Sequence, residues 1–144
     1  MVRRTILVVD DEPQIRSLVK SVLSRQGHRI LEAGDGIEAM GVFEGAETTI
    51  DLLVSDIIMP RMDGVELARR ASSRWPALRV IYMSGKCEAD AVRRDIERRG
   101  FGFLRKPFDI GELDRKVSEF LAKPAVKITV RESPVRGTPK ARQA

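Results

Sequence analysis

The chain has few of the residues on which several common kinds of site depend. Its 144 residues include one cysteine, Cys87, and one histidine, His28. A single cysteine excludes an intramolecular disulfide framework and is typical of a reducing compartment, so we expect a cytoplasmic protein. A serine–histidine–aspartate triad or a histidine-based zinc site would depend on His28 alone, which disfavours both kinds of site.

Long hydrophobic runs are also absent. Apolar residues make up 42% of the chain, and no stretch approaches the roughly 18 consecutive apolar residues that a membrane-spanning helix needs. The run at residues 6–9 is too short for the core of a signal peptide. We therefore expect one globular domain of ordinary composition, without a membrane segment.

The net charge of +5 is concentrated at the C-terminal end. Residues 123–144 carry six of the 26 basic residues and one of the 21 acidic ones, which leaves 20 of each in residues 1–122. We predict a domain over residues 4–122 and a basic, disordered tail over 123–144, which contains Pro124, Pro134 and Pro139. A neutral domain disfavours nucleic-acid binding, although the tail leaves open a contact with nucleic acid or an acidic partner.

Short apolar runs alternate with segments of helical spacing. Continuous runs at 6–9, 52–54, 80–83 and 101–104 predict buried strands, and the mixed run at 28–32 predicts an edge strand. Helical stripes comprise Ile15, Leu18, Val19, Val22 and Leu23; Ile37, Met40 and Phe43; Val65, Ala68, Ala71 and Trp75; and Ile110, Leu113, Val117, Phe120 and Leu121. This alternation predicts an α/β fold with helices on both faces of a parallel sheet.

The helix expected after Ser84 has an unusual composition. Its apolar stripe is thin, and its other faces carry arginines: the stripe is Ala89, Val92 and Ile96, and the arginines are Arg93, Arg94, Arg98 and Arg99. We expect it to be the least firmly docked helix.

Polar side chains follow the predicted strands, at the edge where doubly wound folds bind ligands. They are the acids Asp10, Asp11, Glu12 and Asp56, the hydroxyl of Ser84 and the amine of Lys106.

Clustered carboxylates repel one another, and Mg²⁺ binds through one or two of them while keeping oxygen ligands from water and phosphate. On this interpretation Asp56 attacks phosphorus as a nucleophile, while Asp10 and Asp11 hold the metal. Lys106 pairs with the phosphoryl group and Ser84 donates a hydrogen bond to it. Asp10 and Asp11 would also cap the following helix.

Four motifs in this order resemble the receiver domain of bacterial two-component response regulators, the CheY-like family. They are Asp10-Asp11-Glu12-Pro13; Asp56 with Met59-Pro60 and Asp63-Gly64; Met83-Ser84-Gly85; and Phe103-Leu104-Arg105-Lys106-Pro107-Phe108. The resemblance covers about residues 5–121. It implies a doubly wound parallel sheet of five strands in the order 2-1-3-4-5, flanked by five helices.

The resemblance also implies roles at the matching positions. Asp56 would accept a phosphoryl group from a histidine kinase or a histidine phosphotransfer protein. Asp11, Asp56 and the backbone carbonyl of Ile58 would bind Mg²⁺, with Asp10 acting mostly through water. Such a domain is not a classical enzyme, because it catalyses only its own phosphorylation and dephosphorylation.

Signalling would follow from a switch formed by Ser84 and Phe103, in which the aromatic ring follows Ser84 inward. The family often has threonine and tyrosine at these two positions, so a hydroxyl contact from Phe103 is absent here. Ile58 and Lys86 flank the path of the hydrolytic water in this family. We hypothesise that Ile58 blocks that path and prolongs the life of the acyl phosphate.

Partners are expected on the face formed by the arginine-bearing helix, the last strand and the last helix, which would bind a downstream protein or a second copy. An alternative is a phosphorelay intermediate, or a detached receiver of a hybrid histidine kinase, which passes the phosphoryl group to another histidine. A phosphohydrolase of the haloacid-dehalogenase type is disfavoured because it needs a second acid where this chain has Ile58. A receiver-like module that binds partners without being phosphorylated is disfavoured because every reactive residue is present.

Overall fold

Strands and helices alternate along the whole of the computed structural model, which describes residues 3–85 and 90–123. The strands are β1 (Thr5–Val9), β2 (Arg29–Ala33), β3 (Leu52–Asp56), β4 (Arg79–Ser84) and β5 (Gly102–Arg105). The helices are α1 (Pro13–Arg25), α2 (Gly36–Gly45), α3 (Gly64–Arg74), α4 (Asp90–Arg98) and α5 (Ile110–Ala122). This alternation confirms the predicted α/β class.

All paired strands are parallel, and their order is β2-β1-β3-β4-β5, as the family resemblance implies. β3 is two residues longer than its apolar run suggests, because Ser55 and Asp56 pair with Tyr82 and Met83 of β4. Asp56 and Ser84 are therefore the last residues of their strands, whereas the sequence placed both just beyond the strand ends. A position within the strand ladder fixes their backbone.

Helices cover both faces of the sheet. α1 and α5 pack on one face through Val19, Leu23, Leu113 and Val117, all of them fully buried. α2, α3 and α4 pack on the other face, where Leu67 and Ala71 are fully buried. Each large apolar side chain removed from water stabilises the fold by about 1.5–3 kcal/mol. Within the described residues, no helix combines the length and apolar content that crossing a membrane requires.

The predicted apolar stripes are wider than the surfaces that the helices bury. Five stripe residues are substantially exposed: Leu18 (38%), Ile37 (50%), Val65 (48%), Val92 (42%) and Ile110 (52%). A helix packed on a sheet buries only the arc that faces the strands. In α3 that arc holds Leu67, Ala68 and Ala71 rather than Val65.

α4 packs mainly against β5. Among the side chains described in this helix, Ile96 is buried, whereas Val92 is exposed. Asp95 pairs with Arg98 and Arg99. The apolar stripe of α4 is therefore as thin as the sequence predicts. Ala89, Lys86 and Cys87 lie outside the described residues, as does the tail beyond Lys123.

The end of α5 is fixed at the amino-terminal edge of the sheet. Arg79, the first residue of β4, donates from Nη2 to the carbonyl oxygen of Lys123 (2.6 Å). The Lys123 amine lies 4.0 Å from the centre of the Phe120 ring. The chain therefore leaves α5 at the edge opposite to the carboxyl ends of the strands.

Candidate functional site at the carboxyl edge of the sheet

Three carboxylates meet where β1 and β3 end. Ligand oxygens of Asp10, Asp11 and Asp56 all lie within 4.8 Å of one another. Asp10 is fully buried and Asp56 is 8% exposed, whereas Asp11 faces solvent. The structure thus brings together three of the four acids that the sequence predicts at this edge.

The turn into α1 differs from its prediction. The N-cap is Glu12, whose side chain makes no capping hydrogen bond, and the helix begins at Pro13. Asp10 does not cap the helix, because its Oδ1 accepts a hydrogen bond from the Glu12 backbone N–H (2.9 Å). The predicted capping role of Asp10 and Asp11 is therefore wrong. The turn instead aims both carboxylates at the sheet edge.

Lys106 supplies the positive charge of the site. Its Nζ lies 2.6 Å from Asp10 Oδ2 and 3.3 Å from Asp56 Oδ2. Glu12 Oε1 is a third contact at 3.4 Å. Burial alone would lower the pKa of Lys106, but the hydrogen bond to Asp10 and the charges of Asp10 and Asp56 raise it above its usual value. The amine is therefore fully protonated at neutral pH.

The Asp56 carboxyl lies in a setting that disfavours its charge. Burial raises its pKa above the usual range; the Lys106 charge opposes that effect and the Asp10 charge adds to it. Its Oδ1 accepts the backbone N–H of Ile57 (2.9 Å), and Oδ2 faces Lys106. One further cation close to these oxygens would stabilise the charged form.

The donor set fits a hard divalent cation. All its side-chain ligands are carboxylate oxygens, the kind that Mg²⁺ and Ca²⁺ prefer, and the exposed Asp11 leaves a route from solvent. The cluster offers fewer protein ligands than an all-protein calcium cage, and Lys106 occupies one of its sides. These residues therefore can hold a metal ion that keeps several outside ligands.

The loop between β3 and α3 runs directly beside this cluster. Its end is fixed by Asp63, whose side chain accepts the backbone N–H of Glu66 (2.8 Å) and caps α3. A Cβ at Gly64 would lie 2.0 Å from the carbonyl oxygen of Asp56, so this position requires glycine. Ile58, two residues after Asp56, is 50% exposed in the loop.

The predicted switch residues lie on the two neighbouring strands. Ser84 is 1% exposed at the end of β4, and its carbonyl accepts the Lys106 backbone N–H (2.8 Å). Phe103 of β5 is paired in register with Tyr82. Phe103 is 8% exposed and packs in the core on the α2, α3 and α4 face, and its movement with Ser84 stays a prediction.

Two arginines near the site were not singled out from the sequence. Arg16 donates from Nη1 to the Asp10 carbonyl (2.6 Å) and pairs with Glu32 (3.5 Å). Arg61 pairs with Asp35. Arg16 lies four residues after the Glu12 N-cap, a spacing that could have indicated a side chain reaching back over the turn. Arg61 has no comparable signal, because its partner is far away in sequence.

Known proteins share both the sequence and the fold. A family profile, the response regulator receiver domain, matches residues 6–118. The chain is 38% identical over 120 residues to the sensor kinase CckA of Brucella abortus, an alignment that covers 83% of this chain and 13% of that protein. It is 31% identical over 121 residues to sporulation initiation phosphotransferase F of Bacillus subtilis, covering 84% and 96% of the two chains.

A solved structure with a bound ligand mimic is also similar. The response regulator protein TrrA from Thermotoga maritima, in complex with Mg²⁺-BeF, matches with a TM-score of 0.69 at 32% identity. The match covers 81% of this chain and 98% of that one. The chain thus spans nearly all of two small relatives and a small part of the kinase.

Proposed function

The chain belongs to the response regulator receiver domain family, the phosphoacceptors of two-component signalling, and we propose that its phosphoacceptor is Asp56. One observation carries this assignment. The Asp56 carboxylate ends the central strand β3, with one oxygen 3.3 Å from Lys106 Nζ and within 4.8 Å of ligand atoms of Asp10 and Asp11. A nucleophile, a fixed cation and two further acids therefore surround one point at the sheet edge.

The reaction is the transfer of a phosphoryl group from a phosphohistidine. An Asp56 carboxylate oxygen attacks phosphorus and forms a C–O–P acyl phosphate, while the P–N bond to the donor imidazole breaks. The imidazole nitrogen keeps the electron pair of that bond and is later protonated by solvent. Lys106 offers its ammonium group to the negative oxygens of the phosphoryl group, and the Ser84 hydroxyl donates to one of them.

Asp10, Asp11, Asp56 and the Ile58 carbonyl are the groups that would hold Mg²⁺. Bound there, the ion would neutralise charge that builds up on the phosphoryl oxygens. Asp10 is already engaged by Lys106, which favours a role for Asp10 through water. The TrrA complex with Mg²⁺-BeF supports this choice of metal by similarity.

Modification of Asp56 would then be transmitted through Ser84 and Phe103 to α4, β5 and α5. New charge at the ends of β3 and β4 would shift the position of α4, whose described part packs mainly against β5. We infer a phosphodonor that is a histidine kinase or a phosphotransfer protein. We also infer a downstream protein, or a second copy, on the face of α4, β5 and α5. A cytoplasmic location remains a prediction from the single cysteine.

A relay role is the second candidate. It is favoured by the 38% identity to part of a sensor kinase and by the 31% identity over the full length of a phosphotransferase. In a relay, the acyl phosphate on Asp56 passes to another histidine instead of acting through an output face. Incubating the phosphorylated chain with candidate histidine phosphotransfer domains would distinguish the two roles.

The test of the assignment uses acetyl phosphate and, separately, beryllofluoride, each with and without Mg²⁺. We expect Mg²⁺-dependent acyl phosphate on Asp56 by mass spectrometry, and bound fluoride signals by ¹⁹F NMR. Asp56→Asn should abolish both signals, whereas Glu44→Gln, which changes an exposed acid at the end of α2, should keep them. Labelling that survives Asp56→Asn, or that needs no metal, would contradict the proposal.

A further inference from the structure

One carboxylate, that of Asp35, connects the start of α2 to the loop that precedes α3. Its Oδ1 accepts the Glu38 backbone N–H (2.9 Å) and caps α2. Its Oδ2 accepts from Arg61 Nη2, in the loop. The hydrogen bond from Glu38 and the contact with Arg61 both lower the pKa of Asp35, so the carboxylate is charged at any physiological pH. Both groups of the ion pair are therefore charged under working conditions.

Arg61 is held in a backbone conformation that it would not choose. Its φ is +71°, and it is the one non-glycine residue with a positive φ in the part of the chain that the structure describes. Side chains with a Cβ rarely occupy this region, so neighbouring contacts must hold the backbone there. The ion pair with Asp35 is the contact that its side chain provides.

The residue after Arg61 presses against the same helix start. Met62 is 5% exposed, and a Cβ at Gly36 would lie 2.7 Å from both the Cβ and the carbonyl oxygen of Met62. Only glycine leaves room for the loop at that distance. The loop is therefore docked on α2 by one ion pair and one close packing contact.

The other end of the loop is fixed to the site. The Gly64 N–H donates to the Ile57 carbonyl (2.7 Å), and the Ile57 N–H donates to Asp56 Oδ1 (2.9 Å). Ile58 lies between this end and the segment that docks on α2. The position of its carbonyl therefore depends on both attachments.

From this geometry we propose that the Asp35–Arg61 ion pair positions the loop so that the Ile58 carbonyl faces the metal site. Asp35 and Arg61 are positioning residues, since neither touches the reacting atoms. The inference rests on the proposed function, because it assigns the Ile58 carbonyl as a ligand of Mg²⁺. It extends the site to α2, an element that carries none of its ligands.

The direct test is Mg²⁺ affinity without a phosphodonor, measured by NMR titration of backbone amides. Asp35→Asn keeps an efficient N-cap for α2 but removes the charge that holds Arg61. We expect its Mg²⁺ dissociation constant to rise about three- to tenfold, somewhat less than the effect of losing a residue that contacts a metal ligand directly. Arg61→Gln should give the same change, and Arg61→Lys should restore most of the affinity.

Phosphorylation kinetics give a readout that a merely structural role would not move. With acetyl phosphate, Asp35→Asn should need more Mg²⁺ for half-maximal labelling and should reach the wild-type rate at saturating Mg²⁺. Arg74→Gln is the matched control, because the Arg74–Glu44 ion pair (2.9 Å) also joins α3 to α2, at the end far from the site. That variant should keep the wild-type Mg²⁺ dependence.

The outcomes separate this inference from the proposed function. If the wild-type chain binds Mg²⁺ and both Asp35→Asn and Arg61→Gln bind it equally well, the positioning role is wrong and the phosphoacceptor assignment stands. An equal loss in Arg74→Gln would likewise overturn it, because the effect would then be general loosening. If the wild-type chain shows no Mg²⁺ binding, the proposed site and this inference both fail.

Discussion

Lys106 Nζ lies 2.6 Å from Asp10 Oδ2, closer than its 3.3 Å distance to Asp56 Oδ2. Asp10 is fully buried, so the lysine is its main source of positive charge before any metal binds. The residue that we propose to contact a phosphoryl group is therefore also the ion-pair partner of a buried acid in the unmodified protein. Its two roles can be measured separately.

Replacing the lysine should destabilise the metal-free protein. Lys106→Met leaves the buried Asp10 charge unpaired, and removing one partner of a buried pair costs about 3–5 kcal/mol. We expect the free energy of unfolding, measured in urea, to fall by an amount near the lower limit, since the exposed Asp11 leaves access to solvent. In an Asp10→Asn background the same replacement should cost about 1 kcal/mol or less, and equal costs in both backgrounds would contradict the pairing.

Removing glycine next to the nucleophile should be costly. Gly64→Ala would place a Cβ 2.0 Å from the Asp56 carbonyl oxygen, so the backbone of β3 or of α3 must shift. We expect a loss of about 3 kcal/mol in the free energy of unfolding, and slower labelling of Asp56. The control is Gly41→Ala, in α2, where an added Cβ meets nothing within 4 Å. That change should stabilise the protein by about 0.5–1 kcal/mol, and a Gly64→Ala variant as stable as the wild type would refute the close approach.

The lifetime of the acyl phosphate should depend on Ile58. An asparagine there could orient a water molecule toward phosphorus, whereas the isoleucine, half exposed at this position, has no group that could do so. We expect Ile58→Asn to hydrolyse about fivefold faster, the effect of roughly one net hydrogen bond. Loss of label from purified phosphoprotein measures this, with Val65→Asn as a control at another exposed apolar position. A lifetime unchanged or lengthened in Ile58→Asn would be evidence against the shielding role.

Stability should fall on mild acidification because of His28. Its Nδ1 accepts the Arg4 backbone N–H (3.2 Å). Burial and the nearby Arg4 charge lower its pKa below the ordinary 6.5, with Asp51 partly opposing them. The folded state thus favours the neutral imidazole of His28, and this preference contributes to the free energy of unfolding. The contribution is complete above pH 6.5 and is lost as the pH falls from there toward the lower folded-state pKa.

Urea unfolding at several pH values between 5 and 8 measures this effect. His28→Asn keeps an acceptor for Arg4 and does not titrate in this range, so the wild type should lose stability relative to it as pH falls. His28 is the chain's only histidine, so no other imidazole titrates in this pH range. A constant difference across the range would show that the hydrogen bond does not depend on charge.

The arrangement of the site was predictable because it follows from strand order. Once Asp10, Asp56 and Lys106 are assigned to the ends of parallel strands, the topology brings them to one edge whatever the packing details. The turn after Asp10 was not predictable, since either an aspartate or Glu12 could occupy the N-cap. The Asp35–Arg61 pair depends on how α2 docks beside a loop, which no local pattern encodes. Exposure of Ile37 and Val65 likewise depends on the tilt of each helix on the sheet.

The attachment of Lys123 to Arg79 has a consequence for how this domain can be joined to other proteins. It holds the point where the chain leaves α5 at the amino-terminal edge of the sheet, opposite to Asp56. Any polypeptide joined directly after Lys123 therefore starts away from the edge of the sheet that carries Asp56. Fusions made directly after Lys123 should leave phosphorylation intact. Different proteins can therefore follow the same domain without changes to the residues of its site.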